Sequence, residues 1–426
     1  MDPGIRRTQL DSGLRVVTDS LPQLRSVAVG FWVGTGARDE DDARSGASHF
    51  LEHLLFKGTP TRTALEIAEE VESVGGEMNA FTSHEYTAFY VRVPDDRLDL
   101  AVDILSDVVW SPTIDAEEME AERKVILEEI NMRDDAPDEL LHDLLAEAVF
   151  PGHPLGRSVL GSPDSISAMS RDAVAEYHAE HYHPSNVVVA AAGNLEHDRV
   201  VELVENGLAA RTGTDGRRPA RVVSPFPRSR LLEVLRRPTE QAHLAIGLRA
   251  FSRDDPDRFA LTVLNQVLGG GMSSRLFQEI REKRGLAYSV YAYRAAYEEI
   301  GAMAVYAGTT PARVDETLGV LNAELDRVVA DGGVTDRELD AAKGHLSGSM
   351  ALGLESSSSR MHRLGRSELT LGEIPTLDEL VDAVNAVTPA DVSRVVTRVF
   401  ADTDRTLTVV GPFDAADFGE PPVPAS

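Results

Sequence analysis

An internal repeat constrains the fold of this chain more than any other feature of its sequence. Arg97-Leu98-Asp99 recurs 216 residues later as Arg313-Val314-Asp315, and Glu118-Met119-Glu120-Ala121 recurs 220 residues later as Glu338-Leu339-Asp340-Ala341. Small changes in the offset are expected where loops of different length separate the elements of two copies of one structural unit. The chain has 426 residues, which is also more than one ordinary core contains. Two similar domains are therefore predicted.

The boundary between the two copies is predicted in a segment with the composition of a linker. Residues 211–228 contain Gly213, Gly216 and three prolines, which favour turns and irregular backbone. The first domain is therefore expected at 1–210 and the second at 229–426.

Hydrophobic periodicity predicts the same elements in each copy. Alternating apolar residues indicate strands at 87–93 and 301–307, and the helical period indicates helices at 98–109 and 314–329. Each half is therefore predicted to be an α/β sandwich, which makes the fold class α+β.

Charge and composition exclude several functions. The chain has 70 acidic and 42 basic side chains, and the resulting formal charge of −28 repels nucleic acid. It contains no run of about 18 apolar residues, as a membrane helix needs, and its first residues do not resemble a signal peptide. We therefore expect a cytoplasmic protein without a membrane partner. Cysteine is absent, so a metal ion would be bound by histidine and carboxylate side chains.

Two histidines and a glutamate lie close together in residues 48–56, a stretch without a helix breaker. In a helix, His49 and His53 project from one face about one turn apart, so both imidazoles can bind one zinc ion. Glu52 lies close to the same face and is placed to take a proton from zinc-bound water. This H-x-x-E-H order is the one found in inverzincins. The pattern predicts a zinc site with a general base.

The alternative is that these three residues are ordinary surface groups or satisfied core groups in an amphipathic helix. The second copy favours the zinc site. At an offset of 213, residues 49–53 align with Thr262-Val263-Leu264-Asn265-Gln266, which keeps the apolar positions and replaces all three titratable side chains. The fold itself therefore does not require His, Glu and His at these positions.

A catalytic zinc ion usually has three protein ligands and one open position, so a third ligand is expected on another element. The predicted helix at 117–132 places Glu122 and Glu129 on one stripe at helical spacing. The apolar residues of this stripe are predicted to be Val125, Ile126 and Ile130. Buried carboxylates are costly unless they face a cation, whereas Glu128 is rotated by about 100° and is expected to be solvated.

We therefore predict Glu129 as the third ligand and Glu122 as the residue that orients a ligating histidine. At an offset of 220, Glu122 aligns with Ala342 and Glu129 aligns with Ser349, so the second copy again lacks the titratable groups. The alternative is a pair of ordinary exposed glutamates in an acidic helix.

These residues together resemble the metal signature of the pitrilysin/insulinase family of zinc metallopeptidases. His49-x-x-Glu52-His53 followed by Glu129 has the spacing of that family, and Glu122 precedes the third ligand by seven residues, where family members often have an acidic residue. The resemblance covers nearly the whole chain and is closest to the bacterial and mitochondrial processing-peptidase β-subunit type. It implies one zinc ion per chain, bound in domain 1–210, and a homologous second domain without metal.

Two further segments resemble this family. Asn79-Ala80-Phe81-Thr82 and the residues that follow are similar to the edge strand that binds extended peptides through the backbone. Arg281 and Tyr288, seven residues apart, match the Arg/Tyr pair that contacts the substrate carbonyl and the developing oxyanion. Without the resemblance, these residues would be interpreted as packing groups near a glycine turn.

The resemblance also implies a function and an assembly. The expected activity is a zinc endopeptidase that hydrolyses unstructured peptides or presequence-like segments inside a closed clam-shell chamber, of which this chain forms half. The partner is expected to be a second copy, giving a homodimer, or a related non-catalytic subunit, giving a heterodimer. The alternative function is a catalytically silent scaffold or peptide-binding subunit of a heterodimeric processing peptidase, but such chains lose motif residues that are intact here.

Another histidine cluster is not interpreted as a metal site. His178, His181 and His183 are followed at once by Pro184, which places the first two at a helix end and the third in a turn, with no carboxylate as base. A structural role is expected for these residues, and also for His84, His142 and His153.

Overall fold

The computed structural model describes residues 4–210, 220–221, 224–401 and 403–419, and its contacts divide the chain into two compact units. Unit 1 consists of Met1–Asn131, Ser158–Val223 and Leu352–Thr376. Unit 2 consists of Met132–Arg157, Ser224–Ala351 and Leu377–Ser426. Most of the predicted linker, residues 211–219 and 222–223, lies outside the described part of the chain.

Unit 1 contains a sheet of six strands in the order β1-β2-β6-β3-β5-β4. These strands are β1 (Ile5–Gln9), β2 (Arg15–Ser20), β3 (Ser26–Val33), β4 (Glu77–Thr82), β5 (Thr87–Pro94) and β6 (Val187–Gly193). Strands β2 and β6 are parallel, and all the other neighbours are antiparallel. Among the described strands, β4 pairs only with β5 and therefore forms one edge of the sheet.

Unit 2 contains a sheet of five strands in the order β7-β11-β8-β10-β9. These strands are β7 (Leu232–Arg236), β8 (Ala242–Ala250), β9 (Ala287–Ala296), β10 (Gly301–Thr309) and β11 (Thr406–Gly411). Strands β7 and β11 are parallel, and the other neighbours are antiparallel. The five strands of unit 2 have the same order and directions as β2-β6-β3-β5-β4 of unit 1. The shared topology of the two sheets supports the repeat found in the sequence.

The helices are distributed similarly in the two copies: five described α-helices lie between β5 and β6, and five lie between β10 and β11. They are α1 (Ala47–Leu55), α2 (Ala64–Glu72), α3 (Leu98–Trp110), α4 (Ala116–Asp134), α5 (Pro137–Val149), α6 (Pro163–Ala168), α7 (Arg171–His181), α8 (His197–Ala209), α9 (Arg258–Gly269), α10 (Val314–Ala330), α11 (Asp336–Gly353), α12 (Ser357–Thr370), α13 (Leu377–Asn385) and α14 (Pro389–Val396). The strands predicted at 87–93 and 301–307 and the helices predicted at 98–109 and 314–329 are confirmed as β5, β10, α3 and α10. The α+β fold class is also confirmed.

The division into contiguous domains at 1–210 and 229–426 differs from the packing because one helix of each copy packs on the sheet of the other copy. Helix α12 belongs to unit 1, where Met361 and Leu364 are fully buried with Trp32. Helix α5 belongs to unit 2, where Leu141 and Leu145 are buried with strand residues of β8, β10 and β11. A sheet needs both faces covered when both carry apolar side chains, and these helices cover the second face of each sheet.

The alternation of strand β3 shows how unit 1 fills both faces of its sheet. Val29, Phe31 and Val33 pack with α1 and α3, whereas Ala28 and Trp32 pack with α12 on the opposite face. At Gly365 of α12, an added Cβ would lie 2.1 Å from the Trp32 indole nitrogen, so only glycine permits this approach.

In the described part of the chain, no helix combines the length and apolar character that a membrane span requires.

Candidate metal centre

Helix α1 carries His49, Glu52 and His53 and is held firmly against the sheet of unit 1. Phe50, Leu51 and Leu54 are at most 1% exposed and anchor its opposite face in the core. A helix with one such apolar face presents its remaining residues on the other side, and here those residues are the two histidines and the glutamate. The local sequence therefore determines which side chains face helix α4.

Three donor atoms from helices α1 and α4 converge at one point. The Nε2 atoms of His49 and His53 both lie 3.6 Å from Oε2 of Glu129, and the two imidazole centroids are 4.7 Å apart. The ligand atoms of these three residues all lie within 4.8 Å of one another. In the described residues this is the single group of three or more His or acidic side chains with such geometry.

The donor set fits a zinc ion. Zinc binds imidazole nitrogen and carboxylate oxygen at about 2.0–2.2 Å in tetrahedral geometry, which separates the ligand atoms by about 3.3–3.6 Å. The observed separations of 3.6 Å from each imidazole nitrogen to Glu129 therefore require little movement of the side chains. Three protein ligands also leave one position for water or substrate, as in catalytic zinc sites.

His53 is oriented by Glu122, which lies about two helical turns before Glu129 on α4. The Nδ1–H of His53 donates to Oε2 of Glu122 at 2.9 Å, which leaves the Nε2 lone pair directed toward Glu129 and His49. Oε1 of Glu122 forms an ion pair with Nζ of Lys57 at 2.7 Å. Burial by itself would raise the pKa of Glu122, but the hydrogen bonds from Lys57 and His53 outweigh it and lower the pKa. Glu122 is therefore an ionised acceptor.

His49 has no comparable partner. Its side chain is 11% exposed, and its buried Nδ1 has no hydrogen-bond partner within the described residues. Burial, together with the neighbouring His53, lowers the pKa of His49 to about 4. The imidazole is therefore neutral near pH 7, which is the form that binds a metal ion.

Glu52 is half-buried beside the three donors. Oε2 of Glu52 accepts a hydrogen bond of 2.6 Å from the Thr82 hydroxyl at the end of strand β4. Burial raises the pKa of Glu52, although the bond from Thr82 opposes this effect. A carboxylate with a raised pKa is a stronger base than an exposed one, and the contact with Thr82 fixes its direction.

Helix α4 corrects one detail of the predicted stripe. Met119, Glu122, Ile126 and Ile130 are buried, but Val125 is 43% exposed. Positions 122, 126 and 130 are four residues apart and share one face of the helix, whereas position 125 is rotated by about 100° from position 126. The inclusion of Val125 was therefore wrong. Glu128 is exposed and accepts a weak hydrogen bond from Asn131, away from the three donors.

The segment that resembles a peptide-binding strand forms β4 at the edge of the sheet. Thr82 and Ala80 point toward α1, and Phe81 points to the opposite face, where its ring stacks with that of His362. The side chain of Asn79 accepts a hydrogen bond from the backbone N–H of Ala80. The residues 79–82 thus place backbone groups at an edge that pairs with no other described strand.

Arg281 and Tyr288 lie together in unit 2. Nη1 of Arg281 donates to the carbonyl oxygen of Tyr288 at 3.0 Å, and its guanidinium lies 4.3 Å from the centroid of the Tyr288 ring. Arg281 belongs to a wide helical turn, Phe277–Glu282, and Tyr288 is the second residue of β9. The Tyr288 side chain is 80% exposed. The structure therefore brings the pair into contact and leaves the phenol accessible to solvent.

The histidine cluster near Pro184 has structural contacts. His178 Nε2 bonds to the carbonyl oxygen of Val109 at 2.9 Å, and burial lowers the pKa of His178 to about 4. His181 ends α7 and packs on the Tyr177 ring, and His183 lies in the following turn. His142 hydrogen-bonds with the hydroxyls of Tyr291 and Tyr293 at 2.8 Å each.

Sequence reasoning missed several residues that support the centre. Lys57, which binds Glu122, lies just beyond the end of α1, so no helical spacing indicated this contact. The contact of Thr82 with substrate stays a prediction, and the additional bond from its hydroxyl to Glu52 was not predicted. Glu40, which caps α1 through two backbone N–H groups, lies outside any recognised pattern.

Comparison with protein families gives two matches in this chain. The family described as insulinase (peptidase family M16) matches residues 15–163, which include the three donors and Glu52. The domain described as the peptidase M16 inactive domain matches residues 168–346.

Several curated proteins are similar over nearly the whole chain. An uncharacterized zinc protease of Streptomyces coelicolor is 45% identical over 414 residues, covering 96% of this chain and 90% of that protein. An uncharacterized zinc protease of Mycobacterium tuberculosis is 47% identical, covering 92% of this chain and 89% of that protein. One from Bacillus subtilis is 39% identical, covering 96% and 98%.

Solved structures share the fold. A protease from Helicobacter pylori is 25% identical with a TM-score of 0.87, covering 96% of this chain and all of that chain. A peptidase M16 inactive domain from Pseudomonas fluorescens has a TM-score of 0.89 at 22% identity, covering 96% and 98%.

Proposed function

This chain belongs to the insulinase family of peptidases (family M16), and from that premise we propose that it is a zinc-dependent endopeptidase whose metal ion is bound by His49, His53 and Glu129. The observation that carries the proposal is the convergence of these three donors within 4.8 Å, with one imidazole held in the metal-binding tautomer by Glu122. Relatives named zinc proteases support zinc as the metal.

Glu52 is proposed as the general base. Bound zinc would supply Lewis acidity, which lowers the pKa of a coordinated water molecule to about 7. Glu52, with its raised pKa, accepts the proton of the attacking water and later donates it to the leaving amine. Thr82 holds the Glu52 carboxylate in place, so little reorganisation is needed for this transfer.

The proposed substrates are unstructured peptides or presequence-like segments. Strand β4 has an unpaired edge among the described strands, and an extended peptide can add to such an edge through backbone hydrogen bonds. Because Thr82 of β4 binds Glu52, a peptide bound along residues 79–82 would lie close to the base. A folded segment cannot present its backbone in this way, since its N–H and C=O groups are already paired.

Arg281 and Tyr288 are proposed to contact the substrate carbonyl and the oxyanion that develops during hydrolysis. The exposed phenol of Tyr288 is available as a hydrogen-bond donor. Arg281 donates to the backbone carbonyl of Tyr288 and so holds this part of β9 in place. The processing-peptidase type and the homodimer or heterodimer stay predictions.

The test combines the zinc content of the purified protein with cleavage of a panel of unstructured peptides. We expect one zinc ion per chain and cleavage of several peptides. Glu52→Gln should retain zinc, since the three ligands remain, but lose turnover because the base is absent. Glu128→Gln is the matched control and should behave like the wild type, because Glu128 is exposed and lies outside the donor group.

Two outcomes would contradict the proposal. Loss of zinc together with activity in Glu52→Gln would make Glu52 a ligand rather than the base. A wild-type protein that contains no zinc and binds peptides without cleaving them would instead support the silent scaffold.

A further inference from the structure

Three consecutive residues, Arg38, Asp39 and Glu40, bind three different parts of unit 1, and we call them the connector. All three precede helix α1, which carries the proposed base. Arg38 and Glu40 are 7% and 5% exposed, and the side chain of Asp39 is 5% exposed. Buried charges are retained where they are paired and hydrogen-bonded, so the contacts of each residue define what the connector holds together.

Glu40 binds the N-terminus of α1. Its Oε2 accepts from the backbone N–H of Gly46 at 2.7 Å, and its Oε1 accepts from that of Ser48 at 2.8 Å. A carboxylate at this end of a helix satisfies unpaired N–H groups and interacts favourably with the helix dipole. Glu40 therefore fixes the position of the first turn of α1, and Ser48 in this turn directly precedes His49.

Arg38 binds the turn that follows the edge strand β4. Its guanidinium forms an ion pair with Glu85, and both side chains are 4% exposed. The backbone N–H of Arg38 also donates to the carbonyl of His84 at 2.8 Å, and that of Ala37 donates to Ser83 at 3.1 Å. The turn and the connector are close enough that a Cβ at Gly36 would lie 2.3 Å from the Ser83 carbonyl oxygen.

Asp39 binds Arg221, a residue of the segment predicted as a linker. Nε and Nη2 of Arg221 donate to the two carboxylate oxygens of Asp39 at 2.8 and 3.0 Å. Nη2 also donates to the carbonyl of Glu85 at 2.6 Å. The Arg221 side chain is 13% exposed. Arg221 therefore fastens the connector and the turn after β4 to each other from outside.

These contacts form one path to the proposed base. Strand β4 ends at Thr82, whose hydroxyl binds Glu52, and the turn of residues 83–86 begins immediately after it. We propose that Arg221 and Asp39 are positioning residues that fix the position of β4 relative to α1. In this position Glu52 faces a peptide bound at β4. This inference rests on the proposed function.

The expected signature is a loss of kcat with little change in KM or zinc content. The metal ligands belong to α1 and α4 and do not contact Arg221, and the backbone edge of β4 remains available to bind peptide. A displacement of about 1 Å between base and substrate can lower the rate about 100-fold. Arg221→Ala allows β4 to move relative to α1 but does not remove the base. We therefore expect a decrease in kcat of about 10- to 100-fold.

The experiment measures kcat and KM for one unstructured peptide, zinc per chain and the near-UV circular dichroism spectrum. The variants are Arg221→Ala, Arg221→Lys, Asp39→Asn and the double variant Arg221→Ala/Asp39→Asn. Lysine restores the charge but cannot form the two-pronged contact with Asp39, so it should recover part of kcat. The matched control is Arg199→Ala, which removes an exposed arginine paired with Asp99 and Glu202 in the same unit.

The double variant should be no slower than Arg221→Ala alone, because both single changes break the same contact. The inference is overturned if Arg221→Ala keeps the wild-type kcat, or if kcat falls only together with zinc content and the near-UV spectrum, as general unfolding would cause. A wild-type protein that cleaves no peptide overturns the proposed function and this inference together. An active wild type with an unaffected Arg221→Ala overturns this inference alone.

Discussion

Replacement of Glu122 by alanine tests how the metal centre is supported without removing a ligand. In the wild type, Glu122 accepts from His53 Nδ1 at 2.9 Å and from Lys57 at 2.7 Å. Glu122→Ala removes both acceptors, so the His53 imidazole loses the partner that fixes its tautomer and ring orientation. His49, His53 and Glu129 remain, and the loss of affinity therefore reports the support alone.

The size of the effect follows from these contacts. Loss of the carboxylate that orients a ligating histidine lowers metal affinity about 10- to 100-fold, or about 1.4–2.8 kcal/mol. Two features favour the upper end. The substitution removes a negative charge next to the metal, and it leaves the positive charge of Lys57, whose side chain is 32% exposed, without its partner. We therefore expect a decrease in zinc affinity close to 100-fold.

The assay is a competition titration of zinc with a chromophoric chelator at constant pH. Glu128→Ala is the matched control, because it removes an exposed glutamate from the same helix and should leave the affinity unchanged. Thermal unfolding of the metal-free proteins checks that both variants fold. An affinity for Glu122→Ala equal to that of the wild type would refute the role of Glu122, as would an equal loss in Glu128→Ala.

Three further predictions test other parts of the account. Glu129→Gln should lower zinc affinity sharply in the same titration, and an unchanged affinity would exclude Glu129 as a ligand. Tyr288→Phe should keep zinc and lower kcat about 10²–10³-fold; Tyr293→Phe, which loses a bond to His142, should lower the unfolding free energy by about 1 kcal/mol and leave kcat unchanged. The fragment 1–210 lacks α12, so the face of the sheet around Trp32 is uncovered, and it should show no cooperative thermal unfolding; a two-state transition would contradict this.

The repeat and the hydrophobic periods predicted the elements because these signals depend on local sequence. Strand β5 and helices α3 and α10 agree with their predicted ranges to within one residue at either end. The exchange of α5 and α12 between the two copies was not predictable in this way. An apolar helix face such as that of Met361 and Leu364 shows that the helix is buried, but not which sheet buries it.

The candidate site was predictable where several residues share one helix. His49, Glu52 and His53 lie on α1 at spacings that place them on one side, and Glu122 and Glu129 lie seven residues apart on α4. Contacts between distant segments carried no such signal. The pairing of Asp39 with Arg221 joins positions 182 apart in sequence, and no local pattern specifies it.

The most direct test of the metal centre is anomalous X-ray diffraction at the zinc edge from crystals of the zinc-containing protein. The account predicts one zinc peak at about 2.0–2.2 Å from Nε2 of His49, Nε2 of His53 and a carboxylate oxygen of Glu129. A zinc ion bound elsewhere, for example between His178 and His183, with no peak at these three residues, would contradict it.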